Sequence, residues 1–145
     1  MLSKNVKETD KIAKKFINKL LKGKKKRSGA LVVGLSGELG AGKTAFTKLA
    51  AKYLGIKNKV FSPTYVILKK YPIKKKKHKF FFHIDAYRLS HEKELLHLGW
   101  QEIIDGSEHV VFIEWPENVS KVMPRDARYV YIKSDKDGHR NFELK

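Results

Sequence analysis

Gly37-Glu38-Leu39-Gly40-Ala41-Gly42-Lys43-Thr44 fits G-x-x-x-x-G-K-[ST] without a gap. The spacing suits a polyphosphate. Backbone N–H groups can surround one only if no side chains obstruct the loop, which Gly37, Gly40 and Gly42 allow. A helix beginning near Lys43 would aim its N-terminal dipole at the phosphates. Lys43 would reach the β- and γ-phosphates, and the Thr44 hydroxyl would ligate Mg²⁺. With this composition the motif would arise by chance in about one chain in a hundred. No N-K-x-D run is present to read guanine, which leans the base toward adenine.

Such a loop needs a second carboxylate for the metal and a group to orient the attacking water. These belong at the carboxyl ends of strands, beside the loop. Two apolar runs end that way: Phe80 to Ile84 leads into Asp85, and Val110 to Ile113 leads into Glu114. Either acid alone is also an ordinary surface acid at a strand end. Glu117, three residues beyond Glu114, can point into the same cleft. Histidines 78, 91, 97, 109 and 139 have no metal-like spacing and read as surface or structural residues. His83 is set apart only by its neighbours, His83-Ile84-Asp85-Ala86-Tyr87-Arg88.

The elements that must hold these groups follow from periodicity. Ala30 to Leu35 is a short branched run and reads as a buried strand. After the glycine loop, Ala45, Phe46, Leu49, Ala50, Tyr53 and Leu54 share one helical face, closed by Gly55. Upstream, Ile12, Phe16, Ile17, Leu20 and Leu21 predict a helix with Thr9 as N-cap and Gly23 near its end. Thr64 to Tyr71 and Lys79 to Ile84 read as strands joined by a hairpin, since Pro72 to His78 is too short for a crossover helix. His91 to Leu98 is a short helix before Gly99. His109 to Ile113 is another buried strand. Arg128 to Lys133 and Arg140 to Leu144 form a hairpin around Asp137-Gly138. The expectation is one α/β domain over residues 1–145, P-loop NTPase-like, with a mixed central sheet of about seven strands flanked by helices.

Composition narrows the classes. Of 145 residues, 41% are hydrophobic and 11% aromatic, enough for a core and too much for a disordered chain. No apolar run reaches the length of a membrane span, and the first residues lack an apolar signal core. Cysteine is absent, which excludes disulfides and thiolate metal sites and fits a cytoplasmic protein. Net charge is +17, and only five of the 32 basic residues are arginine. The lysine runs at 22–27 and 69–79 suit a phosphate-rich partner such as RNA, or a solvated lysine-rich surface. Nothing points to DNA.

The order of several segments resembles one family. Glu-Leu-Gly-Ala-Gly-Lys-Thr at 38–44 is followed by Ser-Pro-Thr-Tyr at 62–65, His-x-Asp-x-Tyr-Arg at 83–88, Leu95 to Trp100, and Glu-Trp-Pro-Glu at 114–117. A Walker loop is generic; this ordered set resembles the TsaE (YjeE) family across Thr9 to Arg140. The resemblance implies a Mg-dependent ATPase required for tRNA N6-threonylcarbamoyladenosine formation, acting with TsaB and TsaD, which carry out the transfer. It implies that residues 39–44 hold ATP or ADP, that Thr44 and Glu114 touch Mg²⁺, and that Thr9, Glu117 and Arg140 line the nucleotide. It associates Asp85 with hydrolysis, beside Lys43. Ala45 stands where many members have a second Thr, and Glu38 where Asp is frequent. A P-loop small-molecule kinase and a non-enzymatic, nucleotide-switched RNA-binding module are the alternatives. The first would want an arginine-bearing lid, and the second an RNP-type aromatic pattern; neither is evident.

Overall fold

The computed structural model describes residues 1–23, 29–56, 67–74 and 77–145. The expected strand residues 64–66, the Ser62-Pro63-Thr64-Tyr65 segment and parts of both lysine runs lie outside them.

Among the described residues seven strands form one mixed sheet: β1 (Leu2–Ser3), β2 (Leu31–Ser36), β3 (Leu68–Pro72), β4 (Phe80–Asp85), β5 (His109–Glu114), β6 (Arg128–Ser134) and β7 (Arg140–Leu144). Their order is β1-β7-β6-β2-β5-β4-β3. The four central strands β6, β2, β5 and β4 are parallel. The flanking pairs β1·β7, β6·β7 and β3·β4 are antiparallel. The expected 72–78 connection is therefore a hairpin at one edge of the sheet.

Helices cover both faces because strand side chains alternate. Leu31, Val33 and Leu35 of β2 meet α1 (Val6–Leu21) and α2 (Lys43–Tyr53) through Phe16, Ile17, Phe46 and Ala50. Ala30 and Val32 face the other layer, where α3 (Glu92–His97) and α4 (Trp100–Asp105) contribute Leu95, Trp100 and Ile103. A 3₁₀ segment, Pro116–Val122, buries Val119 in that layer. The Trp100 ring is fully buried and its Nε1 donates to the Val122 carbonyl at 2.9 Å. Among the described residues no helix is long and apolar enough to cross a membrane.

Several expectations are corrected. α1 begins at Val6, and its N-cap is Asn5, whose Oδ1 accepts from the Glu8 N–H at 3.0 Å. Thr9 is thus not the N-cap; it lies one turn inside, buried. Glu8 reaches back to the Lys4 N–H at 2.6 Å, in the manner of a capping box. Ala45 is exposed, and the buried face of α2 is carried by Phe46, Thr47, Ala50 and Ala51. The helix after Gly99 and strand β1 are additions. Six residues bounded by Gly99 and Gly106 carry too little periodicity to announce α4. Two residues are too few to announce β1, whose register comes from β7.

Candidate functional site

Everything the motif implicates converges at the carboxyl ends of β2, β4 and β5. β2 runs into the glycine loop, and α2 leaves it at Lys43. Gly40 and Gly42 adopt φ of 79° and 105°, which L side chains rarely tolerate. Close packing adds a second constraint. A methyl on Gly42 would stand 2.8 Å from the Arg140 guanidinium, and one on Gly37 would stand 2.6 Å from the Ile132 carbonyl oxygen of β6. The loop is held against the sheet with its tip, Glu38 to Gly40, exposed. A cleft of about 480 Å³ runs between residues 36–41 and residues 131–134 of β6.

Lys43 is only 5% exposed. Its Nζ donates to the carbonyls of Gly37 and Glu38, at 2.5 and 2.8 Å, and lies 4.3 Å from the Trp115 ring centroid. Burial pushes its pKa down; the carboxylates of Glu114, Glu117 and Asp85 pull the other way. An ammonium under such desolvation is poised to take an anion that satisfies it better than two carbonyls do.

The Thr44 hydroxyl donates to the Glu114 carboxylate, 2.8 and 3.0 Å from its two oxygens. Glu114 is 3% exposed and sits at the end of β5. His83, fully buried on β4, places Nε2 2.6 Å from Glu114 Oε2. A hydroxyl and a carboxylate side by side are the hard oxygen donors that Mg²⁺ prefers, so these two residues fit that ion. Asp85 lies beside Glu114 in the β4·β5 register. Burial raises its pKa; the Tyr87 N–H, 3.0 Å from Oδ1, works in the opposite direction.

Trp115 follows Glu114 with φ 60°, ψ 52°, a left-handed conformation in a bulky residue. Its N–H donates to the Leu35 carbonyl of β2 at 3.1 Å, and its ring lies 5.0 Å from that of Tyr87. Backbone strain of this kind collects where a side chain must be aimed. Here it turns the indole over Lys43.

The remaining expected residues fall into two groups. Glu117 is exposed and its Oε1 accepts weakly from the Ser36 hydroxyl at 3.4 Å. Arg140 lies over the loop at Gly42, as above. It pairs with Ser3 in the β1·β7 register. The Ser3 hydroxyl is 2.7 Å from the Thr9 hydroxyl. Thr9, Ser3 and Arg140 therefore lead away from the loop along one flank. Leu39 projects outward at the loop tip, whereas Ala41 packs inward.

Two contributors escaped the sequence reading. His83 was marked only by its neighbours, and its bond to Glu114 depends on β4 pairing with β5. Trp115 follows directly on a strand-end acid, a position that signals proximity but not direction. His109 is structural as expected: its Nδ1 is 2.7 Å from the Ile103 carbonyl and its ring packs on Phe82.

A parallel strand, a glycine loop and a helix at the centre of this sheet define the P-loop fold. A family model described as "Threonylcarbamoyl adenosine biosynthesis protein TsaE" matches residues 3–142, and the chain belongs to that family. A protein named tRNA threonylcarbamoyladenosine biosynthesis protein TsaE from Haemophilus influenzae is 34% identical over 134 residues, covering 92% of this chain and 80% of the relative. A relative of the same name from Bacillus subtilis is 37% identical over 114 residues, covering 75% of this chain and 65% of its own length. The crystal structure of Bacillus subtilis YdiB superposes with a TM-score of 0.74 at 30% identity, covering 99% of this chain and 82% of that one.

Proposed function

We propose that this protein is an ATPase that serves formation of N6-threonylcarbamoyladenosine in tRNA, the modification for which its relatives are named. The observation that carries the reading is the meeting of Lys43, Thr44 and Glu114 at the mouth of the glycine loop. On this reading ATP and ADP are the ligands, with Mg²⁺ held by Thr44 and Glu114. The metal would supply charge neutralisation of the phosphates. Lys43 would exchange the Gly37 and Glu38 carbonyls for phosphate oxygens, stabilising charge on the transferred group. The loop N–H groups of residues 39–44 would hold the phosphates. Thr9, Glu117 and Arg140 would line the rest of the nucleotide. Asp85, partly buried and beside Glu114, would orient the attacking water or accept its proton.

The partners would be TsaB and TsaD, which carry the transfer chemistry, with the protein acting in the cytoplasm. Among the described residues only Arg88 and Arg140 lie close in sequence or space to the site residues, so a partner would complete the charge around the phosphates. Exposed lysines at the β3 edge and its turn, Lys69, Lys70, Lys74 and Lys77, would offer a tRNA-facing surface.

The test is phosphate release from ATP by the protein alone and with TsaB and TsaD, beside Lys43→Ala. Lys43-dependent hydrolysis that rises with the partners supports the whole reading. Lys43-dependent hydrolysis indifferent to them keeps the ATPase and removes the partnership. Normal turnover in Lys43→Ala removes the loop as the site.

A further inference from the structure

The histidine behind the strand-end acid has no part in the function just proposed. His83 is fully buried, stacked on Phe81, with Phe112 beside it in the β4·β5 register. As core filling it is a poor choice. Its Nδ1 has no hydrogen-bond partner among the described residues, and burying a polar atom unpaired is costly. An aromatic hydrocarbon at this position would fill similar space without that cost. What the imidazole offers in return is the 2.6 Å contact from Nε2 to Glu114 Oε2. A carboxylate has no hydrogen to give, so Nε2 carries it and donates. Glu114 accepts from Thr44 at both carboxylate oxygens and from His83 at Oε2.

These two donors differ in permanence. Thr44 stands at the first turn of α2, at the loop mouth, and its hydroxyl would leave Glu114 in order to ligate a metal. His83 is anchored in the sheet and stays. With Thr44 turned away, His83 is the group that keeps the carboxylate from rotating out of place.

We propose that His83 is a positioning residue: its Nε2–H fixes the orientation of the Glu114 carboxylate and thereby sets the Mg²⁺ dependence of nucleotide binding. This rests on the reading of Thr44 and Glu114 as metal-binding residues. Residues that orient a metal-binding side chain typically change metal affinity by about 10–100-fold when lost.

The experiment is titration calorimetry of ADP binding with and without Mg²⁺, on the intact protein and on His83→Phe, His83→Gln and His83→Asn, each checked for cooperative thermal unfolding. Gln can place an amide N–H near the position of Nε2; Asn places its amide near Nδ1. The expected result has three parts. Mg²⁺ tightens ADP binding to the parent protein. His83→Phe and His83→Asn lose at least about tenfold of that tightening while keeping metal-free ADP affinity within about threefold. His83→Gln stays within about threefold of the parent in the Mg²⁺ effect. Should His83→Phe fail to fold, Gln against Asn decides alone. A Mg²⁺ effect in the parent that persists equally in the variants overturns the role of His83 and leaves the metal site standing. Gln and Asn losing it alike reduces His83 to packing, which also overturns the proposal. No Mg²⁺ effect in the parent overturns both this inference and the metal reading beneath it.

Discussion

Asp85 carries a pH signature that separates its electrostatics from its chemistry. Burial raises its folded-state pKa above the ordinary 3.8. A carboxyl with a raised pKa contributes stability that is fully present below the unfolded value and is lost as pH rises through the folded one. At pH 7 the ionised side chain is therefore a cost. We expect Asp85→Asn to melt above the parent at pH 7 in scanning calorimetry, with the advantage disappearing as pH falls toward about 4. The same variant should bind ATP but hydrolyse it at least about a hundredfold more slowly. Loss of nucleotide binding instead would make Asp85 a metal-binding or structural residue. Gly42→Ala tests the loop: φ of 105° and the adjacent Arg140 guanidinium leave no room for a methyl. It should abolish nucleotide affinity, read by calorimetry, while far-ultraviolet dichroism stays that of the parent. The loop residues were legible because a contiguous motif encodes a local geometry. The Glu114–His83 contact was not, because it depends on which strands become neighbours.

Among the elements, α1 was legible in its body and misplaced at its start. Its apolar stripe of Ile12, Phe16, Ile17 and Leu20 is strongly periodic and packs as that spacing requires. The apolar spacing alone points to Thr9 as its N-cap, because Asn5 lies in a polar stretch where nothing apolar marks the turn. The structure makes Asn5 the cap, so Asn5→Ala should cost about 1 kcal/mol in urea unfolding. Thr9→Ala should act differently, through the buried hydroxyl pair with Ser3. Phe46 is fully buried between Phe16 and Phe142, with ring centroids at 5.9 and 5.4 Å. Phe46→Ala should cost about 3–5 kcal/mol by the same measurement, with the nucleotide loop loosened because α2 is its far wall. The short helix after Gly99 and the 3₁₀ segment remained invisible to periodicity, since six or seven residues complete too few turns to establish a stripe.

For the whole molecule, the mixed character of the sheet is legible in two hairpins, one from the short 72–78 linker and one from Asp137-Gly138. Sheet order did not follow, because pairing β2 with both β5 and β6 is a choice among long-range partners with similar apolar faces. That order also locates the charge. β4 is parallel to β2, so its amino end, which follows Lys79, lies at the opposite end of the sheet from the glycine loop. Lys79 anchors that end through its N–H to the Glu108 carbonyl at 2.9 Å and an exposed ion pair with the Glu108 side chain at 3.4 Å. Replacing Lys69, Lys70, Lys74 and Lys77 by Gln should weaken tRNA binding uniformly and make its salt dependence shallower, measured by filter binding across a potassium series. An unchanged slope would dismiss the surface. If RNA sits at the Lys74 and Lys77 end of this surface, and not at Lys69, which is level with His83 in the β3·β4 register, the two ligands occupy opposite poles and need not compete. Their binding free energies would then add, except for whatever linkage the strands between them transmit. A saturating nucleotide would leave the RNA titration curve where it was, and any displacement of that curve would measure the coupling between the two ends directly.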